Sequence, residues 1–442
     1  MILLAPVTAI TMDRQRRIVT DAGIAIEGTH IAAVGKAADV ARRYPLAHRM
    51  DGLGMVAIPG LIDAHCHADQ SLLRGTTDDL PWVPFLREWV DPWLAHRRPD
   101  QLVAAYRLSL LEMARCGTTT FLSPNVDPGD DLDALFSVIT QAGLRAILGR
   151  WVTPGALDTA VSAVSRGGPD VVDLWFGLMV PRQGEPEYVP EFYSEVAAAA
   201  RDLGVGIVYH FCSEVDDAEY YQSTFGMAPL EWASRHGVLG SNVVLINGCW
   251  ISPGEIALAA ATGTSVVFSP TATMKMATGV TPVPALLGAG VNVALGTDGG
   301  ANNNSHDMFQ EMKMGCLIQN ATHRRAGTLT AEQVLEFATL GGAHAVGRST
   351  ELGSLEPGKR ADVVLVDLDR AHTSPLIDIV SNLVYAAKSS DVHTVLVDGR
   401  VIVRDRVVLT MDEAAVLASA RTAAADIAGR ITPAHHARWP ME

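Results

Sequence analysis

No stretch of this sequence is basic enough to suit a nucleic-acid groove, and none is apolar for long enough to cross a membrane. Lys and Arg number 34 against 49 Asp and Glu, a formal net charge of −15 at pH 7, and no Lys/Arg cluster stands out of that acidic background. Phosphate binding wants a clustered positive excess, so no nucleic-acid partner is expected. The apolar runs fall well short of the roughly 20 residues a membrane helix needs, so no membrane segment is expected either. The opening MILLAPVTAITMDRQRR turns polar after a few residues, without a long apolar segment or a small-residue cleavage site, and reads as a first β-strand. Cysteine is scarce: five residues, at 66, 116, 212, 249 and 316, an odd set without CxxC spacing. That fits reduced thiols better than a disulfide framework, and the expected location is the cytoplasm.

What is present is apolar bulk, 48% of 442 residues, enough for a large core. Residues 1–57 are short β-like runs (ILLAPVTAIT, GIAIEGTHIAAVG, GMVAIPG) separated by Gly, Asp and charged turns. From 58 to 351 short apolar strands such as TTTFLSP, DLWFGLMV, GVGIVYHF, NVVLINGCW, TSVVFSP and NVALGTD alternate with helix-like stretches, which argues for parallel β/α architecture. About eight such strands over roughly 300 residues favour a closed (β/α)₈ barrel, with an open doubly wound sheet as the alternative. Over 352–409 the β texture returns in GSLEPGKRADVVLVDLD and DVHTVLVDGRVIVRDRVVL. The expectation is one small composite β domain from 1–57 plus 352–409, a barrel over 58–351, and a closing Ala-rich helix and tail over 410–442.

The strongest local signal is AIPGLIDAHCHAD at 57–69, an apolar strand whose end presents His65 and His67. Residues two apart on a strand share a face, so both imidazoles can reach one metal. VGIVYHF ends on His210 and VNVALGTDGG on Asp298, the latter followed by glycines that allow close approach of backbone or ligand. Taken singly, each has a plain structural alternative, a satisfied histidine or a turn-forming aspartate. Four at the same end of barrel strands, where barrel active sites are built, make coincidence a poor explanation. Three His and one carboxylate suit zinc or iron.

PGLIDAHCH, the continuation HCHADQSLLRG, GTDGGANNN and the trailing GSLEPGKRADVVLVD together resemble the amidohydrolase superfamily, in its branch of cytosine, guanine, adenosylhomocysteine and triazine hydrolases. The resemblance runs over nearly the whole chain. It implies a distorted (β/α)₈ TIM barrel with a composite β-sandwich, and one divalent metal, zinc by preference and iron as the alternative, on His65, His67, His210 and Asp298. A bound cation of this kind lowers the pKa of water from 15.7 to about 7, and Asp298 beside it would act as general base, then pass the proton to the leaving group. Relatives of this kind are commonly dimers or larger, which implies a homo-oligomer.

The departures from that pattern concern the substrate side. A Glu is usual three residues after the fifth-strand His; here HFCSEVDD puts Ser213 there, with Glu214 one place further on, and a local bulge would bring Glu214 inward. Asn247 in NVVLINGCWIS stands where a His is usual, and an amide donates a hydrogen bond but carries no proton. Met179 and Phe268 also stand at places where His is common. Loss of a proton shuttle typically removes on the order of 10² to 10⁴ in rate, which argues against ordinary nucleobase deamination or for another proton source. His306, on the loop after Asp298, is one such source, the alternative being a solvent-facing loop histidine. In DDLPWVPFLREWVDPWLAH, the spacing of Trp89 and Trp93 fits a packing helix. Pro81 and Pro84 are expected to keep Trp82 and Phe85 out of regular helix, as pocket residues.

The reading is an enzyme that hydrolyses a C–N or C–halogen bond of a small cyclic or heteroaromatic compound. Ring opening of an amide, lactone or cyclic imine on the same metal is the first alternative. A metal-bearing but hydrolytically silent ligand-binding protein is the second.

Overall fold

Each barrel strand is a short run in which nearly every residue is withdrawn from water, because its inner face packs in the barrel and its outer face lies under helices. The computed structural model describes residues 1–179, 189–211 and 215–430. Within them eight parallel strands follow one another in chain order: Leu61–Asp63, Thr118–Val126, Arg145–Trp151, Val172–Leu178, Ile207–Phe211, Val243–Asn247, Ser265–Phe268 and Val293–Leu295. The sheet closes where the Ala64 N–H donates to the Leu295 carbonyl at 3.0 Å and the Asp298 N–H to the His65 carbonyl at 2.8 Å. Alternation then decides which side chains fill the barrel. Ala64, Leu122, Ile147, Val208, Val244, Ile246, Val267 and Ala294 form the inner cluster. Their strand neighbours, such as Leu245, Val266 and Phe268, join the cluster shared with the helices.

Helix starts follow local chemistry. Asp131 accepts from the N–H groups of Asp133 and Ala134, Ser252 and Glu255 form a reciprocal box, and Asp307 caps Met308–Thr322. Trp82–Phe85 departs from expectation: it is a short helix, continued through a π-turn at Leu86–Val90 into Asp91–His96. Pro81 precedes its first residue and Pro84 lies within its first turn, where backbone N–H groups have no intrahelical partner, so neither ring breaks it.

A nine-stranded, mostly antiparallel sheet draws strands from both ends of the chain, with Val363–Asp367 antiparallel to Met55–Pro59 and the latter parallel to Ile2–Ile10. Met55–Pro59 leads directly into the first barrel strand, so the sheet and the barrel share one continuous segment. A buried cation fastens them: Arg145, 1% exposed, pairs with Asp362 at 2.6 Å and Asp398 at 2.8 Å. The helix Glu413–Ala428 lies on Pro99–Arg115, pinned by Arg98–Asp426 and Arg115–Glu413, each 2.6 Å. Among the described residues no helix is long and apolar enough to cross a membrane.

Removing one partner of a buried ion pair strands the other. Arg145→Leu is therefore expected to lower unfolding free energy by about 3–5 kcal/mol in a denaturant titration; an unchanged midpoint and slope would refute the fastening role.

Candidate metal centre

The closing seam of the barrel is where the four sequence-marked residues meet. Cys66–His67 and Asp298–Gly299 pair in parallel, Asp298 opposite Cys66, which sets the aspartate between the two imidazoles in height. Asp298 adopts a left-handed backbone conformation, φ 63°, that turns its carboxylate back toward the pair. Its Oδ1 lies 3.4 Å from Nε2 of His65 and 3.4 Å from Nε2 of His67. His210 arrives from the fifth strand, its ring 5.2 Å from that of His65 and 5.5 Å from that of His67, and ligand atoms of the three histidines lie within 4.8 Å of one another. Two glycines permit the closeness: a Cβ on Gly296 would stand 2.8 Å from the His65 carbonyl oxygen, and one on Gly300 2.8 Å from Cα of Ser71.

The set fits a cation. Both ring nitrogens of His65, Nδ1 of His67 and Oδ1 of Asp298 are buried without a hydrogen-bond partner, and each such atom costs roughly 1–3 kcal/mol unless something else satisfies it. Ligands about 2.0–2.1 Å from a tetrahedral centre stand about 3.3 Å apart, near the separations between Asp298 and its two imidazoles. Burial, reinforced by the neighbouring His65, holds His67 below the usual imidazole range, and so neutral as a ligand must be. Burial pushes the Asp298 carboxyl up, but the His65 and His67 imidazoles outweigh it and keep it well below the ordinary carboxylate range. Cys66, between the paired histidines, is turned by strand alternation to the opposite face, into the apolar cluster shared with the helices, where burial and the nearby carboxylates push its thiol well up.

A hydrogen-bonded frame fixes these groups. Asp63, two residues before His65, accepts from the Thr297 N–H at 3.0 Å and hydroxyl at 2.5 Å, while burial pushes its pKa up to about 7. Asp69, two residues after His67, pairs at 2.7 Å with Arg97, which also holds Asp127 at 2.9 Å and Asp130 at 2.7 Å. Arg97 thereby ties the loop after the first barrel strand to the loop after the second.

The other expected site residues are distributed unevenly. Asn247 ends the sixth strand beside Phe211, one residue past His210, at φ 67°, its carbonyl accepting from Thr281 and its Oδ1 buried without a partner. Trp82 and Phe85 stack at 5.7 Å in a cluster with Leu72, Met276 and Ala301, over loops that follow the first, seventh and eighth strands. Met179 lies just past the fourth strand, its carbonyl accepting from the Tyr193 hydroxyl at 2.8 Å. Phe268 is not brought to the site: the strand's alternation turns its ring outward, where a Cβ on Gly315 would meet it at 3.2 Å. His306 is fully buried rather than solvent-facing, with both ring nitrogens engaged inside the protein. Ser213 and Glu214 lie outside the described residues. Sequence reasoning missed Trp151, whose ring stands edge-on to His210 at 6.0 Å; its place at the end of the third strand was the available signal.

The sequence matches the model of the amidohydrolase family over residues 56–402, and that of an imidazolonepropionase-like composite domain of bacteria over 22–47. It is 34% identical to a 5-methylthioadenosine/S-adenosylhomocysteine deaminase of Pelotomaculum thermopropionicum, over 97% of this chain and 99% of that one. To a 5′-deoxyadenosine deaminase of Methanosarcina mazei it is 32% identical, over 97% and 99%. An adenosine deaminase from Xanthomonas campestris, solved with bound zinc, superposes with TM-score 0.91 at 30% identity, covering 97% of this chain and 98% of that one. An atrazine chlorohydrolase from Arthrobacter aurescens, also with zinc, superposes with TM-score 0.88 at 26% identity over 96% and 100%. Donor set and likenesses agree on a divalent metal as the group such a site takes.

Metal analysis of the purified protein is expected to give close to one equivalent per chain, with both His65→Ala and His210→Ala losing it while keeping their circular dichroism. Full metal retention in both folded variants would refute the site.

Proposed function

The chain belongs to the amidohydrolase family, and on that premise we propose that it is a zinc hydrolase displacing an amino or halogen substituent from a nitrogen heteroaromatic ring. One observation carries the reading: a carboxylate and three imidazoles converge at the barrel mouth, and ring nitrogens of His65 and His67 and Oδ1 of Asp298 lack any other hydrogen-bond partner. The activities for which the relatives are named, deamination of adenosine derivatives and dechlorination of a triazine, support the substrate class.

In this reading His65, His67, His210 and Asp298 hold the cation, which when bound supplies a water acidic enough to lose its proton near neutral pH. Asp298, ionised in its pocket, accepts that proton and returns it to the departing amine or halide, so the bond to water oxygen forms as the C–N or C–halogen bond breaks. Asn247, beside His210 on the neighbouring strand, orients the water or the substrate through its amide without exchanging a proton. Trp151 walls the His210 side of the pocket, and Trp82 with Phe85 covers its mouth. Ser213 and Glu214 are assigned to the substrate's ring nitrogens, with Glu214 as proton donor on its place in sequence alone. A cytoplasmic homo-oligomer with small-molecule substrates, built as a composite domain of 1–57 and 352–409, a barrel of 58–351 and a terminal helix and tail from 410, completes the proposal.

Ammonia or halide release should be measured on aminopurines, aminopyrimidines and amino- or chlorotriazines, with cyclic amides alongside. Turnover of at least one ring compound is expected, with Asp298→Asn lowering kcat by about 10² to 10⁴. Hydrolysis of cyclic amides alone, or unchanged kcat in the variant, contradicts the proposal.

A further inference from the structure

His306 sits in a position that neither the metal set nor the substrate contacts account for. It is fully buried, and its ring bridges the two loops that leave the closing strands. On one side Nδ1 is 3.1 Å from Oγ1 of Thr297, the residue preceding Asp298; on the other Nε2 is 3.2 Å from Oγ of Ser71, four residues past His67. The Thr297 hydroxyl is also hydrogen-bonded to Oδ2 of Asp63, at 2.5 Å. Each ring nitrogen thus has one hydroxyl partner, and a neutral imidazole donates through one side while accepting through the other. Burial pushes its pKa down to about 4 against the pull of Glu112, so the ring is neutral. Beyond Ser71, Oγ of Ser109 stands 2.5 Å away and 2.8 Å from the carbonyl oxygen of Ala68, the residue next to His67. The His306 backbone is held as well, its N–H donating to Oε1 of Glu112 at 3.0 Å, and Glu112 pairs with Arg74.

The chain Asp63, Thr297, His306, Ser71, Ser109, Ala68 thus begins two residues before His65, passes beside Asp298 and ends beside His67. Other ties between the two loops, such as the Thr77 hydroxyl donating to the Ala301 carbonyl at 2.5 Å, lie further from the ligands. Side chains grip the turn that carries Asp298 in its left-handed conformation at the Thr297 hydroxyl, and also through Asn303, which donates to the Thr297 carbonyl at 2.6 Å, and Asn302, which accepts from the Gly299 N–H at 2.7 Å.

We infer that His306 is a positioning residue for the metal centre, which through Thr297 and Ser71 fixes Asp298 at its distance from the paired imidazoles. The inference rests on the proposed metal site and adds a device to it. Partners of this kind typically change metal affinity or activity by about 10- to 100-fold when removed. His306→Leu keeps the volume and deletes both links; His306→Gln restores a donor and an acceptor on a flexible chain; Ser71→Ala removes only the far link.

The test is zinc affinity of the full chain, measured by competition with a chelator, with kcat and KM on any substrate found. His306→Leu is expected to bind zinc about 10- to 100-fold more weakly and to lose kcat on the same scale, with KM within about twofold. His306→Gln should recover most of both, and Ser71→Ala should show a smaller loss of zinc affinity in the same direction. A His306→Leu protein, folded by circular dichroism, that binds zinc as tightly as the wild type overturns the inference. If that variant does not fold, unchanged zinc affinity in Ser71→Ala overturns it instead. Wild-type protein that takes up no zinc contradicts the metal reading itself and is thereby distinguished from failure of the positioning role.

Discussion

The site depends on the seam where the last barrel strand meets the first. One backbone hydrogen bond, Asp298 N–H to the His65 carbonyl at 2.8 Å, lies at the point where a carboxylate is brought within 3.4 Å of two imidazoles. Opposed ligand-type atoms at that distance, buried together, would not persist on an isolated loop. They are held because barrel closure sets strand height, because Gly296 lets the strands approach, and because Thr297 is anchored on Asp63. Function here uses the same contacts that close the fold.

Electrostatics around the seam separates roles between neighbouring carboxylates. Asp298 faces imidazoles and is held ionised, whereas Asp63, two residues before His65 and equally buried, accepts only neutral donors and is pushed up to about 7. Asp69 faces Arg97, and Glu311, buried against Thr271 and Asn303, is pushed up to about 8. A carboxylate that is to ligate a cation must be ionised, while those behind it serve as hydrogen-bond frames. Environment rather than residue type makes that division.

Much of the architecture was legible in the chain. Fully apolar strands alternating with helix-length segments give parallel β/α structure whatever their precise ends, and the His-x-His pair gained its metal reading from the other two candidates at strand ends. What was not legible depends on direction and depth. Phe268 looks like a pocket residue by position, but strand alternation turns it toward the helix layer. His306 reads as a loop histidine, and only the folded chain shows Thr297 and Ser71 closing over both nitrogens. Pro81 and Pro84 suggest a break, yet the first turn of a helix tolerates them. Trp151 went unnoticed because the edge-on contact with His210 crosses from the third strand to the fifth.

X-ray absorption at the zinc edge of the purified holoprotein tests the central claim most directly. The account predicts imidazole scattering from three histidines together with oxygen, all at about 2.0–2.2 Å, and no sulfur shell near 2.3 Å. A sulfur ligand, or fewer than three imidazoles, would contradict it.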